Sequence, residues 1–269
     1  DGINRPDDRM VKAVNDGCVL GTMLGRKLMV RREENITKFT RRQSGKIDKR
    51  ILAGIGAGLE DIFYNIKTDK YGKANLHITV DSSTSMSGMD SWGPTMTCIV
   101  EVCKAASMIP NLRVSVSFRT TIGSGTGLKP YIILAYDSEV DKFEKVRLLF
   151  PYLIPSGFTP EGLAIAATIK TFLNKTMDGS EYFFLNISDG EPYFPGSVNY
   201  SGDIAIKHTK SVVDKLRREN LQILSYFIDT GRGFRKDSFR QMYGKSAKFI
   251  NVQSVFDIAK TMNEMFLQK

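Results

Sequence analysis

The segment Asn75-Leu76-His77-Ile78-Thr79-Val80-Asp81-Ser82-Ser83-Thr84-Ser85 combines an apolar half with a polar half. Its first half alternates apolar side chains with others, which predicts a buried β-strand. Its second half is a loop rich in acidic and hydroxyl side chains. Ligands of open parallel sheets bind beyond the carboxyl ends of the strands. The loop from Asp81 to Ser85 is therefore the first candidate for a functional site.

Strand-like and helical patterns alternate along the rest of the chain. The predicted strands are 75–80, 112–119, 130–136, 181–187, 221–228 and 247–252, and the predicted helices are 94–108, 139–147, 160–174, 203–219, 234–243 and 254–267. This alternation predicts an α/β fold with a Rossmann-like, mostly parallel sheet and helices on both faces. The glycine-rich segment 121–127 predicts a hairpin loop, which would make 130–136 an antiparallel edge strand.

A basic helical extension is predicted before this domain. Apolar residues at helical spacing over 7–34 indicate a first helix, in which Gly17, Gly21 and Gly25 either interrupt the helix or form a small-residue face. After a polar break at 40–45, Asp48 is expected to cap a second helix running from Ile51 to Phe63. The polar segment 67–73 suggests a boundary between an extension, 1–70, and a main domain, 71–269.

Two further loops place oxygen-bearing side chains after apolar segments. Thr159 follows the segment Leu153-Ile154-Pro155. Ser188 and Asp189 follow the predicted strand 181–187. In a parallel sheet these loops are expected to meet the first loop at one edge.

The candidate ligands on the three loops offer only oxygen atoms: Asp81, Ser83, Ser85, Thr159 and Asp189. No His or Cys joins them, so the chemistry suits a hard cation, Mg²⁺, with Mn²⁺ or Ca²⁺ as alternatives. The spacing Asp-x-Ser-x-Ser lets alternate side chains of one loop point at one ion. Because hydroxyls are neutral, such a cation keeps an attraction for one more anion. A partner protein's carboxylate is the natural last ligand.

The three elements, in this order, resemble the metal-ion-dependent adhesion site of von Willebrand factor A domains. The resemblance covers about residues 74–269. It implies direct coordination by three hydroxyls, those of Ser83, Ser85 and Thr159. The two carboxylates of the motif would bind the ion directly or through water, depending on the state of the site.

A second resemblance is narrower. The stretch Arg41-Arg42-Gln43-Ser44-Gly45-Lys46-Ile47-Asp48, followed later by Asp-x-Ser-x-Ser-Met-x-Gly, is similar to the carboxyl-terminal part of the T subunit of aerobic cobaltochelatase. That family implies Mg²⁺, a MoxR-class AAA+ ATPase partner, a large chelatase subunit and metal insertion into a corrin ring. The chain would then be a non-ATPase subunit and not a catalyst alone. Ser82 and Thr84 depart from the Asn and Gly usual in that family, but they spare the ligand positions.

Charge along the chain is uneven. The 269 residues carry a net charge of +9, from 38 Lys and Arg against 29 Asp and Glu. Residues 26–50 hold ten basic and three acidic residues, or +7, and residues 201–250 hold eleven and five, or +6. Such clusters are typical of solvated faces, of docking sites for acidic partners or of nucleic-acid contacts.

Phe39 is the only aromatic residue in 26–50, which argues against a stacking surface for single strands. Nucleic-acid binding is the alternative function.

Two enzyme classes fit the sequence poorly. A phosphatase of the haloacid-dehalogenase class also places an Asp after its first strand and uses Mg²⁺, but its general acid/base two residues later is here Ser83. No Gly-x-x-x-x-Gly-Lys-Ser/Thr motif is present, so the chain does not resemble the ATPase itself.

The remaining chemistry-bearing residues point to structural roles. The chain has an odd number of cysteines, Cys18, Cys98 and Cys103, and no Cys-x-x-Cys motif, so we expect neither disulfides nor a zinc site. This cysteine usage predicts a reducing compartment, the cytoplasm of a bacterium or of a virus-infected bacterial cell. His77 and His208 are expected to pack rather than to bind a ligand. No signal peptide and no apolar run of the roughly 18–20 residues of a membrane span is visible. The chain begins without Met, so a fragment or a processed product is expected.

Overall fold

The computed structural model describes residues 5–32, 35–51, 54, 56, 58, 60–69, 73–110, 112–170, 181–196, 199–219, 221–229 and 236–251. The helices are α1 (Asp8–Arg32), α2 (Met89–Ala106), α3 (Glu144–Leu149), α4 (Glu161–Thr168), α5 (Gly202–Arg218) and α6 (Lys236–Tyr243). The strands are β1 (Asn35–Arg42), β2 (Lys46–Ile47), β3 (Phe63–Asp69), β4 (Ala74–Asp81), β5 (Leu112–Ile122), β6 (Lys129–Asp137), β7 (Glu181–Ser188), β8 (Phe194–Pro195), β9 (Asn199–Tyr200), β10 (Gln222–Asp229) and β11 (Ala247–Asn251).

The central sheet confirms the predicted α/β architecture. Its strand order within the described residues is β11-β10-β7-β4-β5-β6. Each neighbouring pair is parallel except β5 and β6, which are antiparallel. The glycine-rich segment 121–127 lies between these two strands, so the predicted hairpin and edge strand are also confirmed. β4 occupies the interior of the sheet, and seven of its eight residues are buried.

Helices cover both faces of this sheet. Phe183, Leu185 and Ile187 of β7 lie in an apolar cluster with residues of α1 and α2. Phe184 lies instead in a cluster with residues of α4, α5 and α6. Because successive side chains of a strand point to opposite faces, the two clusters are the two faces of the sheet. The prediction of helices on both faces is confirmed.

The first helix packs closely on α2 through its glycines. A Cβ at Gly17 would lie 2.6 Å from the carbonyl oxygen of Thr97. The Thr97 hydroxyl donates to the carbonyl oxygen of Ala13 at 3.0 Å. A Cβ at Gly21 or Gly25 would also come within 3 Å of atoms in or just after α2. The glycines therefore form a small-residue face and do not interrupt the helix.

We expect Gly17→Val to lower the free energy of unfolding by about 1–3 kcal/mol, the usual cost of overpacking. The new side chain would overlap Thr97 and Val100. Urea unfolding measures the change. Met23→Val is the matched control, because Met23 on the same helix is 53% exposed, and it should cost about 0.5 kcal/mol from helix propensity alone. A Gly17→Val variant as stable as the control would contradict the close packing.

The predicted second helix, from Ile51 to Phe63, is wrong at its end: Gly54 and Gly56 are in a 3-10 helical conformation, but residues 60–62 are not helical and Phe63 lies in a strand. β1, β2 and β3 form an antiparallel sheet in the order β1-β3-β2, and Phe63 opens β3. Asp48 donates its backbone N–H to the Ile62 carbonyl at 2.8 Å and accepts the N–H of Arg50 at 3.2 Å, so it stabilises a turn. Three apolar positions behind that prediction lie outside the described residues: Leu52, Ile55 and Leu59.

Neither β1 nor β3 was predicted from the sequence, although both have the composition of strands. β1 reads NITKFTRR and β3 reads FYNIKTD, and Ile, Thr, Phe and Tyr favour strands. Phe39 pairs with Asn65, and such a nonlocal pairing is not contained in a sequence window of about 11–18 residues. β3 continues to Asp69, into the segment 67–73 that was predicted to be a polar joint.

Another predicted helix is shorter than expected. The helix predicted over 139–147 begins only at Glu144. The Asp137 carboxylate accepts the N–H of Glu139 at 3.1 Å, so the preceding residues form a turn. Side-chain bonds of this kind compete with the start of a helix.

Some predictions concern parts of the chain outside the described residues. These are residues 171–174 of the helix predicted over 160–174 and the whole helix predicted over 254–267. The division into 1–70 and 71–269 stays a prediction. None of the helices that the structure describes has both the length and the apolar character needed to cross a membrane.

Candidate metal centre

The carboxyl ends of β4 and β7 place the first and third predicted loops beside each other. The two strands are parallel neighbours, and Val80 pairs with Ile187. Asp81 and Ser188, one residue further on, therefore end the strands side by side. The Ser188 hydroxyl donates to Oδ2 of Asp81 at 3.1 Å.

Hydrogen bonds order the loop after β4 and link it to Asp189. Oδ1 of Asp81 accepts the backbone N–H of Ser83 at 2.9 Å, which turns the chain back toward the strand end. The hydroxyl oxygens of Ser83 and Ser85 lie 2.9 Å apart. The Ser85 hydroxyl donates to Oδ1 of Asp189 at 2.8 Å. Four of the five predicted ligands thus lie in one hydrogen-bonded group.

The fifth predicted ligand, Thr159, is held near this group by backbone bonds. The Ser156 N–H donates to the Ser82 carbonyl at 2.7 Å, and the Thr84 N–H donates to the Gly157 carbonyl at 3.0 Å. Thr159 itself exchanges two backbone hydrogen bonds with Tyr193, at 3.0 and 2.9 Å. The Thr159 segment therefore joins the loop after β4 to the residues that follow Asp189, and Thr159 is buried.

A buried ion pair lies beneath these loops. Arg119 of β5 and Glu161 of α4 are both 0% exposed, with Nη2 of Arg119 3.2 Å from Oε2 of Glu161. The same carboxylate oxygen lies 3.0 Å from the Ser188 hydroxyl, which is also bonded to Asp81. The single proton of Ser188 is therefore shared between two carboxylates. Ser188 therefore links the ion pair to Asp81, a predicted ligand.

The other carboxylate oxygen of Glu161 accepts hydrogen bonds from β7 and from α6. Oε1 accepts a hydrogen bond from Nδ2 of Asn186 at 2.9 Å and one from the Tyr243 hydroxyl. We name the group Arg119, Glu161, Asn186 and Tyr243 the buried network.

Sequence reasoning missed the buried network. The local sequence contains no clear signal, because Arg119 stands in the polar phase of an alternating strand, as Arg113 does, and this pattern predicts a solvent-facing side chain. The identity of its partner depends on the meeting of β5 and α4, which no local pattern contains.

The electrostatics of the site are dominated by buried acids. Asp81, Asp189 and Glu161 are each at most 1% exposed, and Arg119 is the guanidinium among them. Burial raises the pKa of Asp81 to about 6; the charge of Arg119 opposes this rise, and the charges of Asp189 and Glu161 add to it. Three ionised carboxylates against one guanidinium would leave an excess of negative charge.

A divalent cation fits this donor set. It would offset the excess charge, and hydroxyl and carboxylate oxygens are the ligands that hard cations prefer. Within the part of the chain that the structure describes, no group of three or more His, Cys, Asp or Glu is arranged to hold a metal ion. The hydroxyl oxygens of Ser83, Ser85 and Thr159 would therefore have to complete the coordination.

The histidine in the strand that ends at Asp81 has a structural role. His77 is buried in β4, with its ring nitrogens 2.8 Å from the Ser115 hydroxyl and 2.9 Å from the Ser117 hydroxyl. Its ring stacks on Phe184 with centroids 5.6 Å apart. Burial lowers its pKa from 6.5 to about 4. His77 is therefore neutral at pH 7, and the expectation that it packs within the strand is confirmed.

The depressed pKa of His77 predicts a pH dependence of stability. Between pH 6.5 and about 4 the unfolded chain binds the proton that folded His77 does not, so this contribution is lost as pH falls through that window. The loss amounts to about 3 kcal/mol, at about 1.4 kcal/mol for each pKa unit. Urea unfolding at pH 7 and at pH 4 gives the loss of stability for each protein. We expect this loss to be larger for wild type than for His77→Gln by about this amount. Parallel pH profiles of the two proteins would contradict a buried neutral His77.

Comparison with known proteins identifies the fold. No protein-family model and no curated protein sequence matches the chain. The vWF domain of the type V pilus tip protein Mfa5 from Porphyromonas gingivalis matches with a TM-score of 0.53 and 9% identity, over 74% of this chain and 97% of that one. The chain has a von Willebrand factor A fold.

Two other solved structures share this von Willebrand factor A fold. The pilus adhesin SpaC of Lactobacillus rhamnosus GG, in its open conformation, matches with a TM-score of 0.54 and 11% identity, over 76% of this chain and 31% of SpaC. Proximal thread matrix protein 1 of the mussel byssus matches with a TM-score of 0.51 and 13% identity, over 71% of this chain and 46% of that one. The chain thus spans about a third of SpaC and less than half of the mussel protein. The resemblance to von Willebrand factor A domains is confirmed for the fold.

Proposed function

We propose that this von Willebrand factor A domain binds a divalent cation, Mg²⁺ in the cell, and uses it to hold an acidic side chain of a partner protein. One observation carries the proposal. The hydroxyls of Ser83 and Ser85 form a hydrogen-bonded chain to Asp189 beside the buried Asp81, at the carboxyl ends of two adjacent strands. Neutral and acidic oxygens from separate loops therefore meet at one place.

The residues present divide the work of holding the cation. Ser83, Ser85 and Thr159 would supply neutral oxygens, and Asp81 and Asp189 would supply charge, directly or through water. The cation, when bound, would supply an attraction for one more carboxylate. Asp81 is oriented by the hydrogen bonds that it accepts from the Ser83 N–H and the Ser188 hydroxyl. These two hydrogen bonds fix the orientation of its carboxylate.

The partner that we propose is a MoxR-class AAA+ ATPase. Support comes from the sequence similarity of Arg41–Asp48 and the Asp-x-Ser-x-Ser loop to the T subunit of aerobic cobaltochelatase. In this role the chain would be a non-catalytic subunit that acts beside a large chelatase subunit. The ATPase would supply the energy for metal insertion or remodelling. The complex would work in the cytoplasm of a bacterium or of a virus-infected bacterial cell.

A binding experiment tests this proposal. The chain is immobilised and presented with the purified MoxR-class ATPase of the source cell, in Mg²⁺ and in EDTA. We expect capture by wild type in Mg²⁺ and none in EDTA or by Asp81→Ala. Asp203→Ala, which removes an exposed acid on α5, is the matched control and should bind as wild type does. Capture that persists in EDTA would contradict the mechanism, and no capture in any condition would remove this ATPase as the partner.

The alternative partner is nucleic acid, and one observation favours it. Arg41 and Arg42, in the +7 stretch, line an open cavity of about 500 Å³ together with Asp61 and other polar residues. Binding to phosphates should weaken by orders of magnitude between about 50 and about 200 mM salt. Anisotropy of a labelled DNA duplex measures this, and the alternative requires that Asp81→Ala bind as wild type does.

A further inference from the structure

Two exposed aromatic side chains lie next to a predicted ligand of the metal centre. Phe158 directly precedes Thr159 in the chain, and Tyr193 is the backbone hydrogen-bonding partner of Thr159. The two residues are 37% and 47% exposed, and their rings pack edge to face with centroids 5.5 Å apart. We name Phe158 and Tyr193 the aromatic pair.

The backbone under the aromatic pair is fixed from several sides. Thr159 and Tyr193 exchange two hydrogen bonds, and the Phe158 N–H donates to the Thr121 hydroxyl at 3.0 Å. Gly157 has a φ of +77°, and a Cβ there would lie 2.6 Å from Oγ1 of Thr121. The loop is therefore seated directly on β5. Ordered aromatic side chains lose little entropy on binding and are typical centres of binding energy in interfaces.

Position separates the aromatic pair from other exposed apolar side chains. Single exposed apolar residues are normal on protein surfaces and need no explanation. Tyr131 and Ile133 of the edge strand β6 are similarly exposed, at 44% and 39%, but neither is bonded to the Thr159 segment. Among the exposed apolar residues that the structure describes, Tyr193 is hydrogen-bonded to the backbone of Thr159 and Phe158 directly precedes Thr159.

We propose that the aromatic pair selects the residue next to the partner's acidic side chain, and that this residue is large and apolar. The inference rests on the proposed function, since the acid would bind the cation while its neighbour packs against Phe158 and Tyr193. The partner is then a protein segment in which Asp or Glu adjoins a residue such as Leu, Met or Phe. A purely acidic segment would leave both rings exposed.

A peptide selection tests this inference on the intact chain. A library of random peptides displayed on phage is selected on the wild-type protein in Mg²⁺ and eluted with EDTA. We expect enriched peptides to carry Asp or Glu beside a large apolar residue. The double variant Phe158→Ser/Tyr193→Ser should bind them about 10–100-fold more weakly. The matched control, Tyr131→Ser/Ile133→Ser, should bind as wild type does.

A second peptide completes the test. When the apolar residue of a selected peptide is replaced by Ser, wild type and the double variant should bind it equally, because the contact is lost on either side. Selection of acidic peptides without an apolar neighbour, bound equally by the double variant, would overturn the inference and leave the proposed function standing. Absence of any Mg²⁺-dependent acidic peptide would overturn the proposed function and the inference with it.

Discussion

Replacing Arg119 with alanine is expected to lower the free energy of unfolding by about 3–5 kcal/mol, the cost of breaking a buried ion pair. Arg119 and Glu161 are both fully buried. Without the guanidinium, the carboxylate of Glu161 is left buried without its charged partner. The variant also loses the hydrogen bonds of Arg119 to Thr79 and to the Ile187 carbonyl.

Urea unfolding followed by the fluorescence of Trp92, the only tryptophan, measures this loss. Arg113→Ala is the matched control. Arg113 also pairs with a carboxylate, Asp137, but its side chain is 40% exposed, and exposed pairs contribute about 1 kcal/mol or less. Similar losses for the two variants would contradict the role assigned to the buried pair.

The second large effect is that of the Asp81 carboxylate on the free energy of unfolding, and it has opposite signs with and without a bound cation. Burial raises the pKa of Asp81 to about 6, so its ionised form destabilises the cation-free protein at pH 7. Asp81→Asn removes this charge. We expect the variant to be more stable than wild type in EDTA, by on the order of 1–3 kcal/mol, since a pKa unit corresponds to about 1.4 kcal/mol. We also expect it to lose all stabilisation by Mg²⁺.

The measurement is urea unfolding of both proteins in EDTA and in Mg²⁺. At a concentration about 100 times the dissociation constant, a ligand that binds only the folded state stabilises it by about 2.7 kcal/mol. Wild type should show a gain of this size and Asp81→Asn none. Asp203→Asn, at an exposed site, should keep the full gain. An Asp81→Asn variant that Mg²⁺ still stabilises would contradict the assignment of Asp81 to the centre.

The sequence predicted most of the sheet and the meeting of the three loops for a simple physical reason. Strands β4 and β7 are short segments rich in apolar residues, and the polar residues that follow them lie at the same edge because the strands are parallel. Asp81, Ser83, Ser85 and Asp189 could therefore be grouped from local patterns alone. Backbone hydrogen bonds bring the Thr159 segment to the loop after β4, and the role of Thr159 as a ligand stays a prediction.

Other features depend on pairings that no local pattern contains. The partner of Arg119 comes from α4, and the network reaches Tyr243 on α6, far along the chain. The small sheet of β1, β2 and β3 depends likewise on pairs that are distant in sequence, such as Phe39 with Asn65.

A crystal structure of the chain grown with Mn²⁺, with anomalous scattering recorded at the manganese edge, tests the central claim most directly. We predict one strong anomalous peak bounded by the hydroxyls of Ser83, Ser85 and Thr159, with Asp81 and Asp189 bonded to it directly or through water. A structure with ordered loops and no peak there, or with manganese bound only elsewhere, would contradict the account.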